Sequence, residues 1–123
     1  MTDERYAIHL QPLFGFAERF DAQKLIDETT DPWYNQTLIQ LGGVVLRLGV
    51  MIGEFHWHSH EAEDELFFLL EGKFHIEIEN SPTVRLSPRQ GFVVPAGVRH
   101  RPVVPVRSAV LMLEQAGVIP TGS

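Results

Sequence analysis

The chain has 123 residues, and 44% of them are hydrophobic, so it can bury the core of one compact domain. Its 16 acidic residues outnumber its 10 basic residues, and no block of Lys and Arg occurs, which argues against nucleic acid and anionic membranes as partners because both attract basic surfaces. The absence of cysteine excludes disulfides, thiolate metal sites and thiol nucleophiles, and it suits a reducing compartment.

The first segment, residues 1–32, has no clean hydrophobic period and is expected to form an arm packed on the domain. Its opening MTDERY is charged and has no apolar run, so it does not predict a secretory signal. Residues 17–26 are rich in helix-favouring side chains and predict a short helix. Pro32 is expected to end the segment, because a residue before proline is pushed out of the helical region.

The second segment, residues 33–116, consists of short β patterns and is expected to form the barrel. The predicted strands are 37–41, 44–51, 55–60, 66–70, 74–79, 83–86, 91–94, 101–104 and 108–114. Eight or nine short strands with closely spaced turn signals predict an all-β sandwich or barrel, of which the jelly roll is one form. Pro105 is expected to separate the last two strands, and residues 117–123 are expected to form a peripheral tail.

No apolar run approaches the roughly 20 residues that a membrane helix needs. The run 66–70 is typical of the apolar stretches in this chain. We therefore expect a protein without membrane spans, located in the cytoplasm.

Three histidines alternate at positions 56, 58 and 60. Residues two apart in a strand point to the same face, so His56, His58 and His60 are predicted to share one face, opposite Phe55 and Trp57. If that face is the barrel interior, the three imidazoles need partners, and a metal ion supplies them.

Two more candidate ligands stand where strands are predicted to begin. Glu65 follows a short acidic loop and precedes the apolar run 66–70, where a carboxylate can turn inward. His100 follows the turn at residues 95–97. Arg99 and Arg101 flank His100 and are candidates to hold a substrate carboxylate or phosphate, with simple surface exposure as the alternative.

These residues stand in two stretches that resemble the motifs of the cupin superfamily. Residues 53–72, GEFHWHSHEAEDELFFLLEG, resemble the first motif, in which an HxH pair is followed by x4, Glu, x6 and Gly. Residues 91–100, GFVVPAGVRH, resemble the second motif, with PxGxxH intact. Residues 114–118 are also similar to small single-domain cupins often labelled mannose-6-phosphate isomerase-like.

The resemblance implies a double-stranded β-helix, the jelly-roll barrel of cupins, here with a short N-terminal arm or helix. It also assigns the four metal ligands of the family to His58, His60, Glu65 and His100. Three imidazoles and one carboxylate suit one divalent transition metal ion, with Fe, Mn, Co, Ni, Cu and Zn left open.

Four protein ligands leave positions open on an octahedral ion, as catalytic sites require. We therefore predict a metal-dependent enzyme that acts on a small organic substrate by isomerase, cyclase or dehydratase, or dioxygenase chemistry. His56 and Glu65 are the candidate catalytic residues for proton transfer. The alternative is a non-catalytic cupin that binds or senses a small molecule. The resemblance also implies a homodimer, and unpaired strand edges give a physical reason for one.

Overall fold

The computed structural model of the protein describes residues 6–118, 120 and 122; residues 1–5 of the predicted arm and residues 119, 121 and 123 of the predicted tail lie outside the described part. The elements in chain order are β1 (Ala7–His9), α1 (Ala22–Glu28), β2 (Trp33–Leu41), β3 (Val44–Glu54), β4 (Glu65–Glu71), β5 (Phe74–Ile78), β6 (Val84–Leu86), β7 (Gly91–Val94) and β8 (His100–Gln115). Within the described residues, no helix has the length and apolarity needed to cross a membrane.

The eight strands form one sheet that curls around the long strand β8. Its order is β1-β2-β3-β8-β4-β7, and β5 joins β8 to β6. Strand β8 pairs with β3 along most of its length, with β4 through residues 109–113, and with β5 through residues 100–103. The predicted all-β cupin barrel is confirmed, with β8 as the strand that holds both of its sides together.

The sheet carries a hydrophobic cluster on each face. The inner cluster fills the barrel and includes Trp33, Met51, Phe55, Phe67, Leu69, Phe74, Ile76, Val110 and Met112. The outer cluster lies beneath the N-terminal segment and contains Leu38, Leu48, Val50 and Ala109, against which Phe14, Phe20, Leu25 and Ile26 pack. Burial on both faces explains why residues 44–51 are almost continuously apolar instead of alternating.

The predicted strand at residues 55–60 is wrong. Strand β3 ends at Glu54, after a register shift between Met51 and Gly53, and Gly53 has a φ of 109° that favours glycine. Residues 55–57 lie in no strand, so the period of two does not apply to them: Phe55 enters the inner cluster, and His56 is exposed whereas His58 and His60 are buried. The expectation that His56 shares a face with His58 and His60 is therefore wrong.

The predicted break at Pro105 is also wrong, since residues 100–115 form the single strand β8. In the pairing of β3 with β8, Met51 pairs with Ser108 and Gly53 pairs with Val104. Residues 105–107 therefore have no partner on β3 and fall within the register shift. A proline is tolerated at such a point because no ladder hydrogen bond needs its missing N–H.

The helix of the N-terminal segment begins later than predicted. Ala17 has a φ of 57°, which is incompatible with a right-handed helix, and α1 starts at Ala22. The Asp21 carboxylate accepts a hydrogen bond from the Lys24 N–H at 3.3 Å and caps the helix.

Candidate metal centre

Four side chains converge at one end of the barrel interior. The ligand atoms of His58, His60, Glu65 and His100 all lie within 4.8 Å of one another, and all four residues are buried. An ion held at about 2.1 Å from each ligand brings such atoms within about 4 Å of one another, so these four are close enough to share one ion. The four residues that the motifs single out are therefore brought together in the folded chain.

The backbone positions each of these residues separately. His58 and His100 form an isolated antiparallel bridge in which each N–H donates to the carbonyl of the other, at 3.0 and 2.9 Å. The His60 carbonyl accepts from the Gly97 N–H at 2.8 Å. Glu65 is the first residue of β4 and pairs with Val94 of β7. The two motifs thus meet through main-chain hydrogen bonds.

Two of the imidazole rings are oriented by carbonyl groups of their own chain segment. Nδ1 of His58 lies 3.0 Å from the His56 carbonyl oxygen, and Nδ1 of His100 lies 2.9 Å from the Val98 carbonyl oxygen. A carbonyl only accepts, so each Nδ1 must carry the proton and donate. Nε2 is then left with its lone pair available, which is the tautomer a metal ligand needs.

Three buried ligand atoms have no hydrogen-bond partner among the described residues: Nε2 of His60, Nε2 of His100 and Oε1 of Glu65. Oε1 of Glu65 lies 3.5 Å from Nε2 of His60 and 3.4 Å from Nε2 of His100, which is longer than a good hydrogen bond. Each unpaired buried polar atom costs about 1–3 kcal/mol, so three at one point require an explanation. A divalent transition metal fits this donor set and satisfies all three atoms.

The protonation states of these residues also suit a metal. Burial lowers the pKa of His58 to about 4, so its imidazole is neutral near pH 7. Burial pushes the pKa of Glu65 upward, but contacts with His100, His60 and Glu114 outweigh it and hold the pKa well below its usual range. A neutral His58 imidazole and an ionised Glu65 carboxylate are the forms that bind metal without first losing a proton.

A buried hydrogen-bonded pair next to Glu65, formed by Arg47 and Glu114, is a feature that the sequence reasoning missed. Arg47 and Glu114 are each 3% exposed, and Nη1 of Arg47 lies 2.5 Å from Oε1 of Glu114. Arg47 also donates to Oγ1 of Thr37 at 3.0 Å and to the Val118 carbonyl at 3.1 Å. The available signal was the presence of one charged residue in each of the predicted strands 44–51 and 108–114.

Glu114 is influenced from two sides. Its burial and the negative charge of Glu65 raise the pKa of Glu114 to about 9, against the lowering effect of the Arg47 guanidinium. The interior of the barrel therefore contains a row of coupled polar groups that runs from Arg47 through Glu114 to the metal ligand Glu65.

A small cavity of about 20 Å³ lies beside the ligands. Besides His58 and Glu65, its wall is formed by Trp33, Asn35, Met51, Phe55, Phe67, Phe74, Pro102, Met112 and Pro120. Asn35 is the amide in this wall, and the sequence reasoning did not single it out. Its position mattered only once the register placed it opposite Gly49 on the inner face of β2.

The two arginines that flank His100 are occupied outside this cavity. Arg99 contacts Glu79 at 3.1 Å, and Arg101 contacts Glu77 at 2.7 Å. Both guanidinium groups also lie over the Trp57 ring, 5.6 and 5.2 Å from its centroid. Of the two readings of these arginines, the surface role is the one that the structure supports.

The comparisons with known proteins agree with the fold and the motifs. A family model for the cupin domain matches residues 48–114. The uncharacterized protein YdbB of Bacillus subtilis (strain 168) is 31% identical over 90 residues, which cover 73% of this chain and 80% of YdbB.

Among solved structures, a cupin-2 domain containing protein from Shewanella frigidimarina has a TM-score of 0.73 at 23% identity, over 78% of this chain and 93% of its own. Protein NMB1881 from Neisseria meningitidis has a TM-score of 0.72 at 21% identity, over 80% of this chain and 99% of its own. At these identities the likeness shows the shared fold. With more than half of its length matched by the family model, this chain belongs to the cupin domain family.

Proposed function

We propose that this protein is a metal-dependent enzyme that acts on a small organic substrate. The observation that carries the proposal is the convergence of buried ligand atoms without hydrogen-bond partners, Nε2 of His60, Nε2 of His100 and Oε1 of Glu65, beside a cavity with apolar walls. A site that keeps such atoms unpaired in a buried position is suited to an ion and to a molecule bound next to it.

A divalent transition metal held by the four ligands would supply a Lewis acid or redox centre for a substrate oxygen atom. The chain contributes the rest of the site. Its backbone carbonyls hold the rings of His58 and His100 in one orientation. Aromatic side chains such as Trp33 and Phe67 exclude water, which strengthens electrostatic interactions in the site. Isomerase, cyclase or dehydratase, and dioxygenase reactions are the classes that we propose.

We assign proton transfer to Glu65 and His56, in different positions. Glu65 lies in the cavity wall, and as a ligand glutamate that swings free of the ion it would take a proton from the substrate. His56 is exposed, and its ring centroid lies 5.4 Å from that of His58. His56 would therefore exchange protons with solvent at the edge of the site.

The metal content of variants tests the proposal directly. The protein is purified without chelator, and Mn, Fe, Co, Ni, Cu and Zn are measured by elemental analysis. The double variant His58→Ala/His60→Ala is expected to lose the ion, whereas the exposed His9→Ala variant is expected to keep it. Full occupancy in the double variant would refute the metal site.

A substrate screen then separates an enzyme from a binding module. The metal-loaded protein is incubated with small carbonyl, enol and hydroxyl compounds, and each compound is analysed for conversion. A compound that raises the melting temperature but is recovered unchanged throughout the screen would favour the non-catalytic alternative. Conversion that disappears in His58→Ala/His60→Ala would support the enzyme.

We further propose that the protein works in the cytoplasm as a homodimer, with neither nucleic acid nor a membrane as a partner. The net charge of −6 argues against nucleic acid and anionic membranes as partners, and the lack of cysteine suits a reducing compartment. Exposed apolar side chains on the outer face of the sheet, Phe68, Val93 and Leu113, support the dimer.

A further inference from the structure

Asn35 is a buried amide with an unmet hydrogen-bonding need. It lies in the middle of β2, is 5% exposed, and its Oδ1 has no hydrogen-bond partner among the described residues. Asn is disfavoured inside strands, and an unpaired buried acceptor costs free energy. The residue lines the same cavity as His58 and Glu65, so its unpaired oxygen stands beside the candidate metal centre.

The space beside Asn35 is apolar and is largely filled by flexible side chains. Its partner in the register is Gly49 of β3. A Cβ atom at Gly49 would lie 2.3 Å from Cε of Met51 and 3.1 Å from Cε of Met112, so the glycine leaves room for both methionines. Both methionines line the cavity, and their flexible side chains can adapt to a compact molecule that needs more than the present space.

The charge of the wall limits what can bind. The described lining residues include no Arg or Lys, and the charged residue among them is the ligand Glu65. Without an ion at the candidate metal centre, an anionic group would therefore find no basic side chain to pair with in this wall, and it would face a buried carboxylate. Uncharged molecules avoid that cost, because only polar atoms that remain unpaired are penalised.

We propose that Asn35 recognises the substrate of the enzyme proposed above, by accepting a hydrogen bond at Oδ1 from the hydroxyl or N–H group of a compact, uncharged, otherwise apolar molecule. That the bound molecule is a substrate rests on the proposed function. The recognition itself needs only the cavity and Asn35. The substrate class is thereby narrowed from small organic compounds in general to neutral ones with a hydrogen-bond donor, such as hydroxylated single rings or short enols.

Phenol and toluene are suitable probes, because they differ by a hydroxyl in place of a methyl group. Benzoate adds a charged ring of similar size. Binding is measured by NMR titration of the full chain, in chelator-treated protein and in protein loaded with Co²⁺. In the chelated wild type, phenol is expected to bind about tenfold more tightly than toluene, since one hydrogen bond to a buried acceptor is gained. Benzoate is expected to bind more weakly than phenol in the same protein.

Asn35→Leu should abolish the preference for phenol and bring the phenol-to-toluene ratio of affinities to about one or below. Gln36→Leu is the matched control, since it removes the neighbouring buried amide. Nε2 of Gln36 donates to the carbonyls of Gln11 and Thr37, so the control should keep the wild-type ratio. If Asn35→Leu does not fold, Asn35→Ala takes its place, with the same expected loss of the ratio.

An equal ratio in the wild type and the Asn35 variant, or no phenol binding at millimolar concentration, would overturn the inference. The Co²⁺ spectrum provides the separate test of the proposed function. If the wild type does not bind Co²⁺ but still prefers phenol to toluene, the result would contradict the proposed metal enzyme and leave the recognition by Asn35 standing. Co²⁺ binding without a phenol preference would count against Asn35 recognition alone.

Discussion

His58 and His100 exchange both of their backbone hydrogen bonds, at 3.0 and 2.9 Å, although His58 lies outside the strands. Their ring centroids are 4.4 Å apart. An antiparallel pair of this type holds its two Cα atoms about 5.5 Å apart, so the first and second motifs are placed side by side by the main chain. Two ligands from distant parts of the sequence are thereby oriented before an ion binds.

Removal of His100 is expected to abolish stabilisation by metal. An ion that binds only the folded state at a hundredfold excess over its Kd adds about 2.7 kcal/mol to the free energy of unfolding. His100→Ala should lose most of this gain, because it removes one of four ligands. Melting curves with chelator and with excess Ni²⁺ measure the gain, and His9→Ala should retain it. An undiminished gain in His100→Ala would show that the ion binds elsewhere.

The stability of the metal-free protein should depend on His58 between pH 6.5 and 4. Burial lowers the pKa of His58 from 6.5 to about 4 in the folded state. Within this interval the unfolded chain binds more protons than the folded chain, so the contribution of His58 to stability rises with pH and is lost as the pH falls. The full contribution corresponds to roughly 3 kcal/mol.

Urea unfolding at several pH values, with chelator present, checks this prediction. The comparison is between the wild type and His58→Gln, whose difference isolates His58. Glu114 acts in the opposite direction in both proteins, because its raised pKa makes stability fall as the pH rises above about 4.5. Parallel pH profiles for the two proteins would contradict the assignment of a neutral, buried His58.

The Arg47–Glu114 pair should be more costly to break than to replace. Loss of Glu114 leaves the buried guanidinium of Arg47 without its partner, so Glu114→Leu is expected to lower the free energy of unfolding by about 3–5 kcal/mol. The double variant Arg47→Met/Glu114→Leu should recover a large part of this loss, because both partners are then apolar. A double-mutant cycle from chemical denaturation gives the coupling energy. Additive losses would mean that the pair is not coupled.

The outer face of the sheet should form a dimer interface. Phe68, Val93 and Leu113 lie on the neighbouring strands β4, β7 and β8 and are 37%, 49% and 42% exposed. An exposed apolar patch of this kind favours self-association. Light scattering after size exclusion is expected to give twice the chain mass of 13.9 kDa at micromolar concentration.

Phe68→Glu should shift the protein to monomer, because a carboxylate would be buried in the interface. Ile52→Glu is the control, since Ile52 is 44% exposed on β3 but lies away from the three-residue patch. A monomeric wild type would contradict the prediction, as would equal effects of the two variants.

The ligands could be predicted from sequence because motif spacing is local information. HxH and PxGxxH place His58, His60 and His100 at fixed sequence distances from turns. These distances do not depend on where the strands begin and end. The alternation of residues 74–79 was informative for a related reason. Phe74 and Ile76 face the core of one sheet without a bulge, so the period of two is preserved.

The remaining features depend on contacts between distant segments. His56 lies beyond the end of β3 at Glu54, where the alternation of a strand no longer applies, and the sequence pattern does not reveal that end. The meaning of Asn35 depends on the register that sets it opposite Gly49 and beside the cavity. Arg47 and Glu114 were visible as charges in apolar strands, but their pairing required β3 and β8 to be neighbours.

The carbonyl groups that orient the His58 and His100 rings belong to the backbone of residues 56 and 98. Every amino acid supplies the same carbonyl, so substitutions at those two positions leave the anchoring groups in place. Substitutions in the surrounding sequence therefore leave the ring orientation unchanged. The side chains of the cavity wall, such as that of Asn35, can be substituted one by one. If the proposed function holds, a barrel built in this way could change its substrate by point mutation while the candidate metal centre stays intact.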